Sequence, residues 1–267
     1  MVLTSPIVRV KELAKSFIIT LGDFSLFSVE ILRSSRGLWR RRGLFLRHCE
    51  FIGVTSLGVV IVAALFLGGV LGYQLYVSFH LFSAEALLGG SIGVSLYREL
   101  GPVMASIMVT GRAGSAMAAE LASMRISEQI DALEVMAVDP LEYLVAPRVL
   151  AGLLMLPLLG VFFCVVASWA GAAVACGIMG LEPVIFWTQY AKVVDPLELT
   201  HCVTKSAVFG LVLTSVGCFY GFRARGGASA VGFATRSTVV VATLTILLTD
   251  FLLTSFLPFG FQKLRAF

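Results

Sequence analysis

The sequence predicts an all-α integral membrane protein, with about five transmembrane helices, an N-terminal amphipathic interfacial helix and a short cytoplasmic helix between two spans. Three observations predict it. Of 267 residues, 58% are hydrophobic and only 13% charged, about half the charged share of a soluble domain. The apolar residues gather in runs long enough to cross a bilayer core of about 30 Å at roughly 20 residues per span. The polar residues collect between those runs, and a water-soluble surface cannot be made from what remains. A soluble enzyme is thereby excluded. So is a nucleic-acid binder, because the net charge of +4 comes with no basic face on a soluble fold.

Residues 9–34 read as an amphipathic helix. Val10, Leu13, Phe17, Leu21, Phe24, Ser28 and Ile31 recur at spacings of three and four, while Arg9, Lys11, Glu12, Lys15, Asp23 and Glu30 occupy other faces. Such a helix lies in the headgroup plane or packs on the protein's own cytoplasmic side; we take it as interfacial. Arg33, Arg36, Arg40, Arg41, Arg42 and Arg47 follow, and the positive-inside rule sets this end in the cytoplasm. No apolar run occurs early enough for a cleaved leader. Residues 1–50 are therefore expected as an interfacial segment and 51–267 as the membrane domain.

The first span is expected at 51–77, with Gly68, Gly69 and Gly72 allowing a close helix approach. The turn at 78–84 has no Lys or Arg, as expected outside. Residues 85–122 read as a helix longer than a bilayer needs, and they carry Arg98, Glu99, Arg112 and Glu120. This stretch must be shielded inside the protein, line a cavity, or project into the cytoplasm. A short helix at 127–138 follows, with Ser127 as its cap, Glu128 and Asp131 in its first turn, an apolar stripe of Ile126, Ile130, Leu133 and Ala137, and a stop at Asp139-Pro140. The third span is expected at 147–179, softened by Pro157. Residues 181–201, with Glu182, Trp187, Tyr190, Asp195, Pro196 and Glu198, are expected at the outer interface. The fourth span is expected at 203–222 and the fifth at 237–259, separated by a Gly-rich loop bracketed by Arg223, Arg225 and Arg236. Five spans put Lys263 and Arg265 outside, against the positive-inside rule, so an even number stays open.

No enzyme constellation is present. There is no Gly-Lys pair and hence no phosphate-binding loop of the G-x-x-x-x-G-K-[ST] kind; Gly111 to Ser115 is similar only in its glycines. His48, His80 and His201 are scattered, and the five cysteines (Cys49, Cys164, Cys176, Cys202, Cys218) include no C-x-x-C. A metal site is not expected, and the thiols read as reduced and packed. No cofactor is expected on this chain, so uphill work would draw on an ion gradient or on ATP hydrolysed elsewhere. A charge at the centre of a span costs roughly 2.5–3.5 kcal/mol, so Arg98, Glu99 and Asp250 are expected to face inward, as working groups or as a packing pair. Lys205 and Arg236 lie near expected span ends, where they could snorkel to the interface.

Residues 97–159 contain Arg98-Glu99-Leu100-Gly101-Pro102, Gly111-Arg112-Ala113-Gly114-Ser115, and Glu134 followed by Met136-Ala137-Val138-Asp139-Pro140. This stretch closely resembles the core of the MlaE/YrbE permease family, the membrane subunits of Mla-type (maintenance of lipid asymmetry) ABC transporters. The similarity extends to Lys205, Arg236 and Asp250; the first 45 residues are similar only in kind. The resemblance implies a homodimer in the bacterial inner (cytoplasmic) membrane that moves phospholipid between the inner and outer membranes. It implies a cytoplasmic ABC ATPase that holds the ATP, a periplasmic MCE-domain lipid-binding protein and a STAS-domain accessory protein. On that reading residues 127–138 form a coupling helix that meets the ATPase through Glu128, Ile130, Asp131, Leu133 and Glu134. Two copies would enclose an apolar chamber lined by the second span, whose Gly89, Gly90 and Gly93 permit close approach. Arg98 would attract the phosphate, Glu99 would balance Arg98 or change partner, and Leu71, Leu75, Val77 and Leu100 would touch the tails. Two rivals stand beside it. A proton-coupled secondary transporter would use Glu99 or Asp250 as carrier, but the halves show no inverted repeat. A non-transporting scaffold leaves Arg98 and Glu99 without a purpose.

Overall fold

The computed structural model describes residues 42–256, together with Gly22, Phe27 and Glu30 of the N-terminal segment. The expected interfacial helix at 9–34, apart from those three residues, the arginines before Arg42, and Lys263 and Arg265 lie outside the described residues. The described chain is helical, with α1 at Arg42–Ile52, α2 at Leu57–His80, α3 at Leu88–Ser95, α4 at Gly101–Val109, α5 at Ser115–Ile126 and α6 at Gln129–Val135. After these come α7 at Ala146–Gly177, α8 at Pro183–Val193, α9 at Pro196–Phe222 and α10 at Gly227–Phe256. Turns of π-helix at Leu96–Leu100, Thr110–Gly114 and Leu141–Val145 join α3 to α4, join α4 to α5, and lead into α7. We call the end of the bundle where α2, α7 and α10 finish and α9 starts the upper end, and its opposite the lower end.

Among the described residues, four segments are long and apolar enough to cross a membrane: Arg42–His80, Leu141–Gly177, Pro196–Phe222 and Gly227–Ser255. The expected second span is a near-continuous rod over residues 88–126. It is long enough, but Arg98, Glu99, Arg112, Glu120 and Arg125 keep it out of that apolar set. Two boundaries differ from expectation. The fourth apolar helix begins at Pro196 rather than 203, because Asp195 is extended and Pro196 stands in the first turn, where proline's missing N–H leaves no bond unmade. Glu198 and His201 are therefore in a long helix and not in an external loop. The fifth begins at Gly227, so Arg236 lies within α10, its Nε donating to the Gly232 carbonyl at 3.2 Å.

Small residues decide where these helices touch. Val60, Ala64, Gly68 and Gly72 form the buried stripe of α2. A Cβ added at Gly68 would lie 2.1 Å from the Ala167 carbonyl oxygen, and one at Gly72 2.6 Å from that of Gly171. The backbones of α2 and α7 thus meet directly, which is how helices gain packing where no hydrophobic effect operates between them. The same holds between α7 and α9, where a Cβ on Gly210 would come within 2.3 Å of the Gly152 oxygen. Gly89 sits against Phe186, Gly90 against Val193, and Gly93 against Val194 and Tyr190. These three glycines therefore seat α8 on α3 within one chain.

At the lower end the rod stops at Ile126. Ser127 does not cap the next helix as expected: its hydroxyl turns back to the Ser123 carbonyl at 2.8 Å, and Glu128 takes a left-handed φ of 59° to start α6. The expected helix over 127–138 is accordingly shorter. It closes with Ala137 N–H on the Glu134 carbonyl and Val138 N–H on that of Leu133, both at 3.0 Å, around a left-handed Ala137 with φ 56°. That pattern normally carries glycine. Asp139 both ends this segment and begins the next, since its Oδ1 accepts the Leu141 N–H at 2.9 Å. A left-handed L-residue costs roughly 1–2 kcal/mol. Ala137→Gly is therefore expected to stabilise the protein by about 1 kcal/mol, visible as a rise in Tm of about 2–4 °C in a thermal melt of the detergent-solubilised protein. An unchanged or lower Tm would show that Ala137 is not strained.

Candidate functional site

A cluster of charge lies inside the upper half of the bundle, on one face of α9. Glu198, His201 and Lys205 recur there at spacings of three and four, and all three are buried. Facing them is the π turn at Leu96–Leu100, where consecutive side chains point in different directions around the helix. Arg98 therefore reaches Glu198, with Nε donating to Oε2 and Nη2 to Oε1, both at 2.6 Å. This is the two-pronged geometry in which a guanidinium binds a carboxylate most firmly. Glu99 reaches Lys205 instead. The Lys205 ammonium is 2% exposed and donates to Glu99 Oε2, Asp250 Oδ1 and Thr254 Oγ1, each at 2.8 Å. Thr254 in turn donates to Glu99 Oε1 at 3.1 Å. All three ammonium hydrogens are used. Two cations thus face three carboxylates, two turns of α9 apart.

Several expectations change here. Arg98 and Glu99 do not balance one another; neighbours on the chain, they belong to separate networks. Lys205 does not snorkel, because it sits well inside a helix that starts earlier than expected and Asp250 and Glu99 meet it there. Arg236 is exposed and lies toward the lower end, apart from this cluster. Leu71, Leu75 and Leu100 are half-buried against the main core, while Val77 is exposed on α2. Arg98 and Leu100 share the π turn. A cleft of about 660 Å³ lies elsewhere, along α8, bounded by Pro183, Val184, Trp187, Thr188, Ala191 and Lys192. Among the described residues no group of three or more His, Cys, Asp or Glu could hold a metal ion.

At the lower end, Ile130 of α6 is buried and Leu133 half-buried against Leu121, Leu144, Val145, Val149 and Cys218. Glu128, Asp131 and Glu134 are exposed, Asp131 taking Arg125 at 2.5 Å. Val135 and Met136 point into the open beside them. Three polar residues went unassigned in the sequence. Glu198 was legible in principle, since Asp195-Pro196 is a helix start and 198 stands two turns before 205. Arg112 donates to Ser56 Oγ at 2.9 Å and to the Phe51 carbonyl and lies 5.1 Å from the centre of the Phe51 ring, fixing the bend at Gly53 between α1 and α2. Arg148 is buried against Glu120. Arg112 was legible only as one of the rod's charges, without its partners, and Arg148 has no local pattern to announce it.

Removing one partner of a buried ion pair costs roughly 3–5 kcal/mol, because the other charge is stranded. Lys205→Met should therefore lower the Tm by about 10 °C or more, whereas Glu99→Gln, at a carboxylate 40% exposed, should cost about 1 kcal/mol or less. Melts that rank the two variants the other way would show that Lys205 is not the hub.

The family model described as Permease MlaE matches residues 45–256, which takes in both charge networks and α6. A probable ABC transporter permease protein of Rickettsia conorii is 37% identical over 235 residues, covering 88% of this chain and 91% of its own length. A probable ABC transporter permease protein of Synechocystis is 35% identical over 86% of this chain and 87% of its own. The intermembrane phospholipid transport system permease protein MlaE of Haemophilus influenzae is 37% identical over 79% and 82%. With four apolar helices around a charged rod, and a match that runs through all of them, the chain belongs to the MlaE permease family.

Proposed function

We propose that this chain is the permease subunit of an ABC transporter that moves phospholipid between the inner and outer membranes and so maintains outer-membrane lipid asymmetry. The observation that carries this reading is the buried charge network in an otherwise apolar bundle, in a chain whose relative from Haemophilus influenzae is named for intermembrane phospholipid transport. Energy then comes from ATP on a separate cytoplasmic ABC ATPase. A periplasmic MCE-domain protein receives or delivers the lipid, and a STAS-domain protein attends the ATPase. The chain works as a homodimer in the bacterial inner membrane, with residues 1–50 interfacial and 51–267 forming the permease domain.

Charge supports the orientation. Arg42, Arg47, Arg125, Arg223 and Arg225 gather at the lower end, while Arg98 and Lys205 in the upper half are neutralised by carboxylates. The lower end, and with it the N-terminus, is then cytoplasmic. The rod at 88–126 serves as a fifth, shielded span. The exposed side of α6 (Glu128, Glu134, Val135 and Met136) docks on the ATPase as a coupling helix, with Asp131 at its edge and Ile130 and Leu133 holding it to the permease. In the chamber between two copies, a lipid phosphate competes with Glu198 for Arg98, and Glu99 shifts its hold on Lys205. Leu71, Leu75, Val77 and Leu100 meet the tails.

The test is transfer of fluorescent phosphatidylethanolamine to acceptor vesicles by the purified complex. Transfer is expected to need ATP. Arg98→Ala and Glu99→Ala are expected to lower it by about tenfold or more, the worth of one hydrogen bond to a charged group, with dimer and ATPase retained. Val135→Asp with Met136→Asp should release the ATPase while the permease stays folded. Transfer driven by a proton gradient without nucleotide would overturn the reading.

A further inference from the structure

The lower end holds a buried charge of its own that the substrate path does not use. Arg148 stands in the first turn of α7 and is 2% exposed. Its Nη1 donates to the Leu144 carbonyl at 2.5 Å, and its Nη2 lies 2.9 Å from Glu120 Oε2 on α5. Its Nε is buried without a hydrogen-bond partner. Glu120 is half-exposed and stands six residues before α5 ends and hands the chain to α6. The helix α5 packs closely on α9 and α10 rather than on α7; at Gly221 of α9 an added Cβ would lie 2.9 Å from the Ala118 carbonyl oxygen. The Arg148–Glu120 pair spans the remaining gap. Beside it lies the small core of Leu121, Ile130, Leu144, Val145, Val149 and Cys218 that holds α6.

Stability alone does not call for this arrangement. Apolar residues of similar volume commonly serve as well as a buried ion pair or better, and a buried N–H without an acceptor is a standing cost. A guanidinium offers five donors in one plane. The unused Nε sits next to the Nη2 that Glu120 already engages, so the carboxylate has a second position available without breaking the pair. Arg148 also holds the Leu144 carbonyl of the π turn at Leu141–Val145, which leads directly into α7; such turns occur often at functional sites in helices.

We propose that Arg148 is a positioning residue that carries displacement of α6 into α7: the Glu120 carboxylate moves between Nη2 and Nε of Arg148 as α5 and α6 shift, so that work done on α6 repositions the membrane helices. This rests on the permease reading above. The experiment measures ATP hydrolysis and transfer of fluorescent phosphatidylethanolamine in the same reconstituted complex, in vesicles of phosphatidylethanolamine and phosphatidylglycerol, and takes their ratio. Glu120→Gln and Arg148→Lys are expected to keep ATP turnover within about twofold while lipid moved per ATP falls within the 5–150-fold range typical of lost coupling between sites. Glu120→Asp, which keeps the charge, should recover most of the ratio. Arg148→Lys removes the fork but not the charge, so its failure separates geometry from electrostatics. If Glu120→Gln lowers hydrolysis and transfer in equal proportion, leaves the ratio unchanged or prevents assembly, Arg148 is structural and the proposal is overturned. If the wild-type complex hydrolyses ATP but moves no lipid, the permease reading fails instead.

Discussion

A charge that cannot reach water must find its counter-charge inside the protein, and Lys205 imposes that requirement on the upper half of this molecule. Its ammonium has three hydrogens and is 2% exposed, so three acceptors have to be brought to one point. They come from two other elements: Glu99 from the rod, and Asp250 and Thr254 from α10. The relative rotation and height of α9, α10 and the rod are thereby set together. With Lys205 placed, Glu198 stands two turns above it on the same face, and Arg98, next to Glu99, has Glu198 within reach. One buried cation thus accounts for the arrangement of the whole cluster.

Such a cluster is tolerable only if the helices around it approach closely enough to exclude lipid and hold distances. Glycine makes that possible. Backbone contact at Gly68 and Gly72 with Ala167 and Gly171, and at Gly152 with Gly210, fixes α2, α7 and α9 as one body. Exposed apolar side chains such as Phe66, Val70, Leu244 and Phe251 are left for the surroundings. The rod is different in kind. Its charges would be costly against lipid, and it is sheltered because α7, α9 and α10 pack around it.

The two ends of the bundle divide the work that a transporter subunit requires. The upper half holds acid and base in multiply bonded groups, two cations among three carboxylates. The lower end holds a short helix whose exposed side carries Glu128, Glu134, Val135 and Met136, tied by Ile130 and Leu133 to a small separate core. The rod runs from one to the other, carrying Glu99 near its start and Glu120 near its end. It contributes a carboxylate to each charge system.

Much of the architecture was legible from the chain alone. Length and apolar runs determine that this is an all-α membrane protein, because lipid offers no partner for backbone N–H and C=O and only helices or closed barrels satisfy them internally. The small-residue stripe at Gly68 and Gly72 and the anomalous charges of the rod could be read for the same reason, since each is a local departure from what lipid tolerates. Partner choice could not be read. Arg98 and Glu99 are adjacent in sequence and a pairing between them was the natural expectation. Glu198 and Lys205, 100 and 106 positions away, claim them because α9 lies against a π turn that rotates the two side chains apart. Gly89, Gly90 and Gly93 announced a close approach but not that α8 would fill it. Arg148 carried no local signal at all, its meaning lying in Glu120 on another helix. Periodicity and composition are properties of a segment, and the sequence determined those. Which charge meets which depends on the rotation and height of helices remote in the chain, and only the packed tertiary structure decides that.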